Sequence, residues 1–417
     1  MNIYFSGIGG VGIGPLAEIS IDAGNTVLGS DSTPSLTTRE LEKRGVSISY
    51  DQNGDFLRTS HDQTPIDWFV HTAALPADHP ELLAAKSLGI HTAKRDEIIS
   101  EIITEKGLKL IAISGTHGKT TTTGMMVWIL QQLGIPVSYS VGSTLSWGPA
   151  GQYHPDSQYF VYECDEFDRN FLHFSPYLSL ITSVDYDHPD TYPTTASYME
   201  AFSEFALKSQ QVIAWSRDVK QLQLPENSWL LNDNEVADVT LPGLHNRQNA
   251  SLVLKAVEYL GLDTEKARQD FSHFPGTNRR FEKIADNLYS DYGHHPVEIA
   301  ATLQLAREIS EQVVLVYQPH QNIRQHEIKG QYSDQFELAE KIYWLPTYLS
   351  RENPDLEILS PEQLYSGLTN RQAVESAQLD DKLWQNIVAA RNAGKLVVCM
   401  GAGSIDTWLR QNVSSEV

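Results

Sequence analysis

The sequence predicts an α/β protein that contains more than one mainly parallel sheet. Short apolar runs recur along the 417 residues, and NIYFSGI, KLIAISG and KLVVCMG are typical of them. Stretches with helical spacing, such as KTTTTGMMVWILQQLG, lie between many of these runs. Strands that are covered by helices on both faces read as continuous apolar runs, so this alternation indicates parallel sheets.

Two breaks in the pattern divide the chain into three parts. Turn residues occur in TEKGLK near Gly107 and in HFPGTNRR near Gly276, and a new strand pattern follows each of them. A chain of 417 residues is also longer than one ordinary hydrophobic core requires. The sequence therefore predicts three domains, at residues 1–106, 107–277 and 278–417.

Composition restricts the function classes. The net charge of -22 disfavours a general nucleic-acid binder, because a phosphate backbone would be repelled at long range. No apolar run approaches the roughly 20 residues that span a bilayer, and MNIYFSGIGG is unlike a secretion signal. We therefore expect a cytoplasmic protein without nucleic-acid or membrane partners. Cys164 and Cys399 lie in apolar runs, which predicts two core thiols.

A glycine cluster follows the first apolar run. Three of its glycines fit the pattern GxGxxG, and the acid of GSD follows further along the chain. Glycines at such a place allow a tight turn and bring backbone N–H groups close to a diphosphate. A dinucleotide cofactor, a nucleotide-sugar diphosphate and ligand-free packing of a helix on a sheet all fit this pattern. The residues concerned are Gly7, Gly9, Gly10, Gly12, Gly14 and Asp31.

A second glycine cluster, AISGTHGKTTTTGMM, runs from an apolar strand into a helix. A lysine at the start of a helix can neutralise the β and γ phosphates of a nucleotide, while Thr120 can bind Mg²⁺. The loop is two residues shorter than GxxxxGK[ST], but strand-loop-helix context on both sides supports it. ATP is therefore favoured over NAD as the cofactor. The loop residues are Gly115, Thr116, His117, Gly118, Lys119 and Thr120.

Acidic groups follow two later apolar runs, YFVYECD and LSLITSVD. The carboxyl ends of parallel strands form the usual ligand edge of a sheet, where carboxylates can hold Mg²⁺ on a nucleotide. A solvated acidic turn is the alternative for either group alone, and the pairing of two strand ends favours metal binding. The first group contains Glu163, Asp165, Glu166 and Asp168, and the second contains Asp185, Asp187, His188 and Asp190.

Further polar candidates occur later in the chain. His245, Asn246 and Asn249 open a predicted helix, where an asparagine either caps the helix or reads an adenine edge. In the last third, basic groups follow two predicted strands and would suit an anionic intermediate and a carboxylate co-substrate. These groups include Arg279, Arg280, His320 and Arg324.

The ordered motifs GIGGVG, GTHGKTTTT, ECDEFDRNFL, DYDHPDTY, GLHNRQNA, RRF, DYGHHPVEIAATL, QPH and GAGSI resemble the Mur ligase family over the whole chain. The resemblance implies a Rossmann-like UDP-sugar-binding domain at 1–106, a central P-loop ATPase with a mainly parallel sheet at 107–277, and a Rossmann-like amino-acid-binding domain at 278–417. It also implies ATP-dependent amide formation through an acyl phosphate.

Within that family, the YGHH and GAGSI motifs favour the reaction of UDP-N-acetylmuramate with L-alanine. We expect ATP and Mg²⁺ as cofactors and a monomer or weak homodimer as the active form. Addition of another amino acid, such as serine or glycine, or of a recycled tripeptide is the alternative. An NAD-dependent dehydrogenase or a non-catalytic nucleotide-binding module would leave GTHGKT unexplained. One departure from the family is Gln321, which stands where the family motif has an arginine.

The resemblance also implies roles for individual residues. The UDP sugar would contact Gly7, Gly9, Gly10, Val11, Gly12 and Asp31. The ATP phosphates would contact Gly115, Thr116, His117, Gly118, Lys119, Thr120 and Thr121, and the magnesium ions Thr120, Glu163 and His188. Adenine and ribose would contact Asn246, Asn249 and Asp291. The catalytic group would consist of Lys119 and, near the incoming amine and carboxylate, Arg280, His294, His295 and Arg324.

Overall fold

A computed structural model describes residues 1–10, 12–72, 75–188, 191–350 and 352–415, and of Leu36 the backbone alone. The chain forms two compact units. The first unit comprises Met1–Ala237 and Asn249–Pro275, and the second comprises Asp238–Gln248 and Gly276–Val417. The predicted residues Val11 and Asp190 lie outside the described part of the chain.

The first unit begins with a five-stranded sheet in the order β3-β2-β1-β4-β5, and all of its pairings are parallel. Its strands are β1 (Asn2–Ser6), β2 (Thr26–Ser30), β3 (Ser47–Ser49), β4 (Trp68–His71) and β5 (His91–Lys94). The helices are α1 (Gly14–Asp22), α2 (Leu36–Lys43), α3 (Asp55–Gln63), α4 (Pro80–Ser87) and α5 (Arg95–Glu105). Strands and helices alternate strictly, as the apolar runs predicted.

A seven-stranded sheet follows in the same unit, in the order β12-β11-β10-β6-β9-β7-β8. Its strands are β6 (Lys109–Ser114), β7 (Val137–Ser140), β8 (Gly151–Gln152), β9 (Tyr159–Glu163), β10 (Leu178–Ile181), β11 (Val212–Trp215) and β12 (Trp229–Leu231). All pairings are parallel except that of β7 with β8. The α-helices after β6 are α6 (Lys119–Gln132), α7 (Thr195–Lys208), α8 (Leu244–Tyr259) and α9 (Thr264–Asp270), and 3-10 turns lie at Phe167–His173, Asp233–Glu235 and Phe271–His273.

The second unit contains a six-stranded sheet in the order β13-β14-β18-β15-β16-β17. Its strands are β13 (Glu282–Ala285), β14 (Leu288–Asp291), β15 (Val313–Tyr317), β16 (Lys341–Trp344), β17 (Val374–Ser376) and β18 (Leu396–Met400). Only β13 runs antiparallel to its neighbour. The helices are α10 (Pro296–Ile309), α11 (Asn322–Ile328), α12 (Pro361–Tyr365), α13 (Asp381–Asn392) and α14 (Ile405–Ser414), with 3-10 turns at Lys329–Gln331 and Arg371–Ala373.

The α/β class with mainly parallel sheets is confirmed. One sheet lies in each of the three predicted ranges, while the boundaries near residues 106 and 277 stay predictions. Central strands such as β6 and β15 are buried almost throughout, which explains their continuous apolar sequence. Cys164 and Cys399 are buried free thiols, as predicted. No helix in the described part of the chain combines the length and the apolar character that a membrane span requires.

Candidate active site

The second glycine cluster forms the turn between β6 and α6. Gly115 has a φ of 132° and Gly118 a φ of 86°, a backbone region that favours glycine. A Cβ atom on Gly115 would lie 2.3 Å from Oγ1 of Thr182, and one on Gly118 would lie 3.0 Å from Oδ1 of Asn249. The first backbone N–H groups of α6 have no acceptor within their own helix, so this turn can accept an anion.

The side chain of Lys119 points back into this turn. Its Nζ donates hydrogen bonds to the carbonyl oxygen of Gly115 at 2.6 Å and to Oε2 of Glu166 at 2.7 Å. Glu166 is fully buried and also accepts a hydrogen bond from the hydroxyl of Tyr198 at 3.5 Å. The lysine charge is therefore held at the start of α6 by a carboxylate that comes from the end of β9.

Burial and charge set the protonation of this pair. Burial by itself would lower the pKa of Lys119, but Glu166 and Asp165 outweigh that effect and raise it, so the lysine stays charged. Burial raises the pKa of Glu166 to about 7, and the charge of Lys119 limits the rise. The loop thus carries a permanent positive charge next to a carboxyl group that titrates near neutrality.

The loop is also anchored to the end of β10. The backbone N–H of Thr116 donates to the carbonyl oxygen of Ser183 at 3.0 Å, and that of His117 donates to Oγ of Ser183 at 2.9 Å. Oγ1 of Thr116 donates to the carbonyl oxygen of Asp185 at 2.7 Å. Because β9 and β10 flank β6 in the sheet, both acidic strand ends lie beside the loop.

Two sets of oxygen and nitrogen ligands face the loop. Oγ1 of Thr120 donates to Oε1 of Glu163 at 3.0 Å, which places a hydroxyl and a carboxylate side by side. Asp165, Glu166 and His188 each offer one ligand atom, and these three atoms lie within 4.8 Å of one another. Such oxygen-rich groups fit Mg²⁺. His188 has a φ of 57°, a conformation in which histidine is several-fold enriched among non-glycine residues.

The two predicted adenine contacts differ in their surroundings. Asn249 is buried, and its amide lies against Gly118, next to the phosphate loop. Nδ2 of Asn246 donates to the carbonyl oxygen of Pro242 at 2.9 Å, within the turn that opens α8. The structure thus brings Asn249 to the loop and gives Asn246 a local contact at the helix start.

The first glycine cluster connects β1 to α1 at the carboxyl edge of the first sheet. Gly7 has a φ of 77°, and its N–H donates to the carbonyl oxygen of Ser30 at 2.8 Å. Oδ2 of Asp31 accepts the N–H of Gly9 at 2.8 Å. A Cβ atom on Gly9 would lie 2.7 Å from Oγ of Ser35, so the loop passes close to the start of α2. Asp31 therefore supports the loop directly, a use that its spacing did not predict.

A buried carboxylate that the sequence did not suggest supports the same edge. Glu81 is fully buried in the first turn of α4. It accepts hydrogen bonds from the hydroxyls of Tyr4 at 2.6 Å, Ser6 at 2.6 Å and Ser30 at 2.7 Å. Ser6 and Ser30 are the last residues of β1 and β2, so Glu81 holds together the two strand ends from which the glycine loop and Asp31 extend.

In the second unit, the predicted residues gather at the end of β14. Asp291 accepts the N–H of Phe281 at 2.8 Å and the N–H of Gly293 at 2.7 Å. Burial raises the pKa of Asp291 to about 6, against the charge of Arg280. The guanidinium of Arg280 lies 5.1 Å from the ring centre of Tyr292. Asp291 thus fixes the backbone at the residue that follows this arginine and at the residue that follows this tyrosine.

Two consecutive histidines follow Gly293. His294 lies 15% exposed, and its Nε2 contacts Nη1 of Arg324 on α11. Nδ1 of His294 lies 3.2 Å from the carbonyl oxygen of Tyr292, which suits a proton on Nδ1. His295 forms the N-cap of α10 in a capping box with Glu298. The structure therefore brings His294 and Arg324 together, and it places His295 at the adjoining helix start.

Acidification is expected to destabilise the native chain more than a His294→Gln variant. Burial lowers the pKa of His294 to about 4 from the ordinary 6.5. Between pH 6.5 and pH 4 the unfolded chain binds a proton at this histidine, and the folded chain does not. The free energy of unfolding therefore decreases as the pH falls through this range. Urea unfolding from pH 6.5 to 4 should show an additional loss of roughly 1–3 kcal/mol in the wild type.

Above pH 7, where the histidine is neutral in both states, the difference between the two proteins should be constant. Parallel pH profiles of the two proteins below pH 6.5 would contradict the neutral, buried state of His294.

Comparison with known proteins gives concordant results over the whole chain. Three family descriptions match it: "Mur ligase family, catalytic domain" at residues 2–106, "Mur ligase middle domain" at residues 113–227, and "Mur ligase, glutamate ligase domain" at residues 279–403. The UDP-N-acetylmuramate–L-alanine ligase of Dinoroseobacter shibae is 30% identical, over 97% of this chain and 95% of that protein. The enzyme of the same name from Agathobacter rectalis is 31% identical, over 97% of this chain and 96% of that protein.

Solved structures agree with these relatives. The crystal structure of UDP-N-acetylmuramate-alanine ligase from Thermotoga maritima is similar, with a TM-score of 0.80 and 25% identity, over 100% of this chain and 99% of that one. A murein peptide ligase from Psychrobacter arcticus shares the fold, with a TM-score of 0.67 and 23% identity, over 100% of this chain and 98% of that one.

Proposed function

Because the chain belongs to the Mur ligase family, we infer that it is an ATP-dependent ligase that joins L-alanine to the carboxylate of UDP-N-acetylmuramate. The observation that carries this inference within the molecule is the phosphate loop. A lysine whose side chain is only 13% exposed lies at the start of α6 between two acidic strand ends, and the loop glycines leave no room for side chains. The two UDP-N-acetylmuramate–L-alanine ligases match nearly the full length of this chain, so the inference applies to the whole protein.

We propose specific roles for the residues around the loop. Lys119 and the N–H groups of the first turn of α6, which include those of Thr120 and Thr121, would bind the phosphates of ATP. Asn249, beside Gly118, would contact the adenosine part, together with Asn246 and Asp291. Positive charge that is already in position when the γ-phosphate is transferred lowers the barrier without reorganisation of the site.

Magnesium ions would be held by two groups of residues. Thr120 and Glu163 form one group, and His188 with Asp165 and Glu166 forms the other. Bound Mg²⁺ would neutralise charge that develops on the transferred phosphate. Asp165 and Glu166 extend the set that the family resemblance implied.

The remaining assignments concern the two other substrates. The glycine loop after β1, with Asp31 as its support, would bind the UDP part of the sugar nucleotide. His294 and Arg324 would orient the amino acid, and Arg280 would stabilise the negative charge of the acyl phosphate and of the adduct formed from it. We further propose boundaries at residues 106 and 277 and a monomer or weak homodimer as the active form.

The test is a substrate panel with ADP release as the measurement. ATP and UDP-N-acetylmuramate are supplied with L-alanine, L-serine, glycine or the recycled tripeptide, with and without EDTA. We expect rapid ADP release with L-alanine, a dependence on the sugar nucleotide, and loss of turnover after metal removal. Preference for the tripeptide or for another amino acid would change the assigned acceptor. ADP release that does not depend on UDP-N-acetylmuramate would overturn the ligase assignment.

A further inference from the structure

A cavity of about 150 Å³ in the first unit connects the two ligand edges. Residues on its wall include Gly12 of the first glycine loop, Gly142 after β7, Glu163 at the end of β9 and Asp165 beyond it. Drug-sized ligands occupy pockets of about 300–1,000 Å³, so this space suits only a small part of a substrate. It lies between the proposed site for the sugar nucleotide and the proposed site for phosphate transfer.

One cationic side chain, Arg95, lines this cavity. It is the first residue of α5, directly after β5, and its side chain is 32% exposed. Nε of Arg95 donates to Oδ2 of Asp96 at 3.2 Å, and Asp96 is buried and accepts the hydroxyl of Tyr162 at 2.5 Å. The buried carboxylate of Asp96 therefore orients the guanidinium through Nε, and the side chain of Arg95 lines the cavity.

The outer nitrogens of Arg95 remain available for a ligand. In the described part of the chain, the hydrogen bond from Nε is the only one its guanidinium makes, and Nη2 lies 3.8 Å from Oδ2 of Asp165. A Cβ atom on Gly12 would lie 3.8 Å from Nη1, so the glycine loop ends beside this group. Planar guanidinium groups bind carboxylates through two parallel hydrogen bonds, and Nη1 and Nη2 are the donors left for such a contact.

The charges around the cavity make a cation necessary for an acidic substrate. Glu163 and Asp165 lie on its wall, and Lys119 nearby is already bonded to Glu166 and to two loop carbonyl oxygens. A carboxylate that enters such a site without a positive partner is repelled by the acids and loses its hydration.

We propose that Arg95 binds the reacting carboxylate of the acyl substrate and thereby selects for a sugar nucleotide that carries one. This proposal rests on the proposed function, because it takes UDP-N-acetylmuramate as the substrate. The guanidinium holds the carboxylate between the glycine loop and the phosphate loop, and Asp96 and Tyr162 keep the guanidinium in place.

The test compares two ligands that differ in the carboxylate. UDP-N-acetylmuramate carries a lactyl carboxylate, which UDP-N-acetylglucosamine lacks. Calorimetric titration without ATP or Mg²⁺ gives the affinity of each ligand for the wild type and for Arg95→Gln. We expect the variant to bind UDP-N-acetylmuramate roughly tenfold to a hundredfold more weakly and UDP-N-acetylglucosamine almost unchanged. Arg95→Lys, which keeps the charge, should recover part of the preference.

Lys94→Gln is the matched control, because it removes the neighbouring positive charge, which pairs with Asp168 at the surface. It should leave both affinities as they are. Equal weakening of both ligands by Arg95→Gln, or an unchanged preference, would overturn the proposal. If Arg95→Gln does not fold, Arg95→Lys against the wild type decides, because a structural role predicts no change in the ratio of affinities.

Failure of the proposed function is seen separately. If the proposed function is wrong, the wild type will show no ADP release in the substrate panel, and this result does not depend on the role of Arg95. A wild type that turns over normally, combined with a variant that keeps its preference, would remove only the assignment of Arg95.

Discussion

Replacement of Lys119 with alanine is expected to reduce ligase turnover by roughly a thousandfold or more. The ammonium group is held at the start of α6, where the proposed mechanism places the transferred phosphate. Turnover is measured as ADP release with UDP-N-acetylmuramate and L-alanine. Near-normal turnover would contradict both the role of the lysine and the position of the ATP site.

This variant also breaks a buried ion pair, so a loss of activity needs a structural control. The charge of Lys119 limits the rise in the pKa of Glu166, so without the lysine this buried carboxyl group is expected to become protonated at neutral pH, at a cost in stability. The double variant Lys119→Met with Glu166→Gln removes both charges and should recover most of the lost thermal stability. It should remain inactive. Recovery of activity together with stability would show that the lysine acts only through the fold.

Replacement of Gly115 with alanine is expected to have the second-largest effect, a loss of ATP binding and of turnover by roughly a hundredfold. Two costs combine at this position. The φ of 132° is one that L side chains rarely adopt, and the added Cβ would lie 2.3 Å from Oγ1 of Thr182 and 2.8 Å from the backbone N of Ser183. The loop must move away from the end of β10, and a misplaced catalytic geometry reduces rates by about this factor. Binding is measured by titration with ATP.

Gly134→Ala separates the strain of a positive φ from the loss of the loop. Gly134 follows α6, has a φ of 74°, and has no atom within 4 Å of a built Cβ. We expect this control to cost about 1 kcal/mol of stability and to leave ATP affinity unchanged. An equal loss of ATP affinity in both variants would show that backbone strain alone, and not the contact with β10, explains the effect at Gly115.

The sequence predicted those features that depend on local pattern. The α/β class follows from alternating apolar runs and helical stretches, and the turn from β6 into α6 follows from a buried strand that meets GTHGKT. The convergence of Glu163 and His188 on that turn also follows, because the carboxyl ends of parallel strands share one edge. Family resemblance, rather than pattern, supplied the substrates.

Other features depend on contacts that no local pattern contains. Three acids follow Glu163, the last residue of β9, and an irregular turn decides which of these three meets the lysine. Glu166 already has helical backbone angles, as the N-cap of the 3-10 turn at Phe167–His173, so side-chain alternation does not continue past the strand. Glu166 was therefore not distinguishable from its neighbours. Glu81 resembled an ordinary first-turn helix acid, since its three hydroxyl partners lie 51 to 77 residues away in the chain.

The pairing of Lys119 with Glu166 means that the phosphate loop contains its own competitor. A tethered carboxylate has a high effective concentration at the lysine, so an incoming anion must displace it rather than fill an open position. A monovalent ion such as chloride offers too little attraction for that exchange. A polyphosphate chain, which also engages the N–H groups of the helix start, offers enough. In the proposed mechanism, Glu166 would thereby favour a nucleotide over a small monovalent anion at this loop.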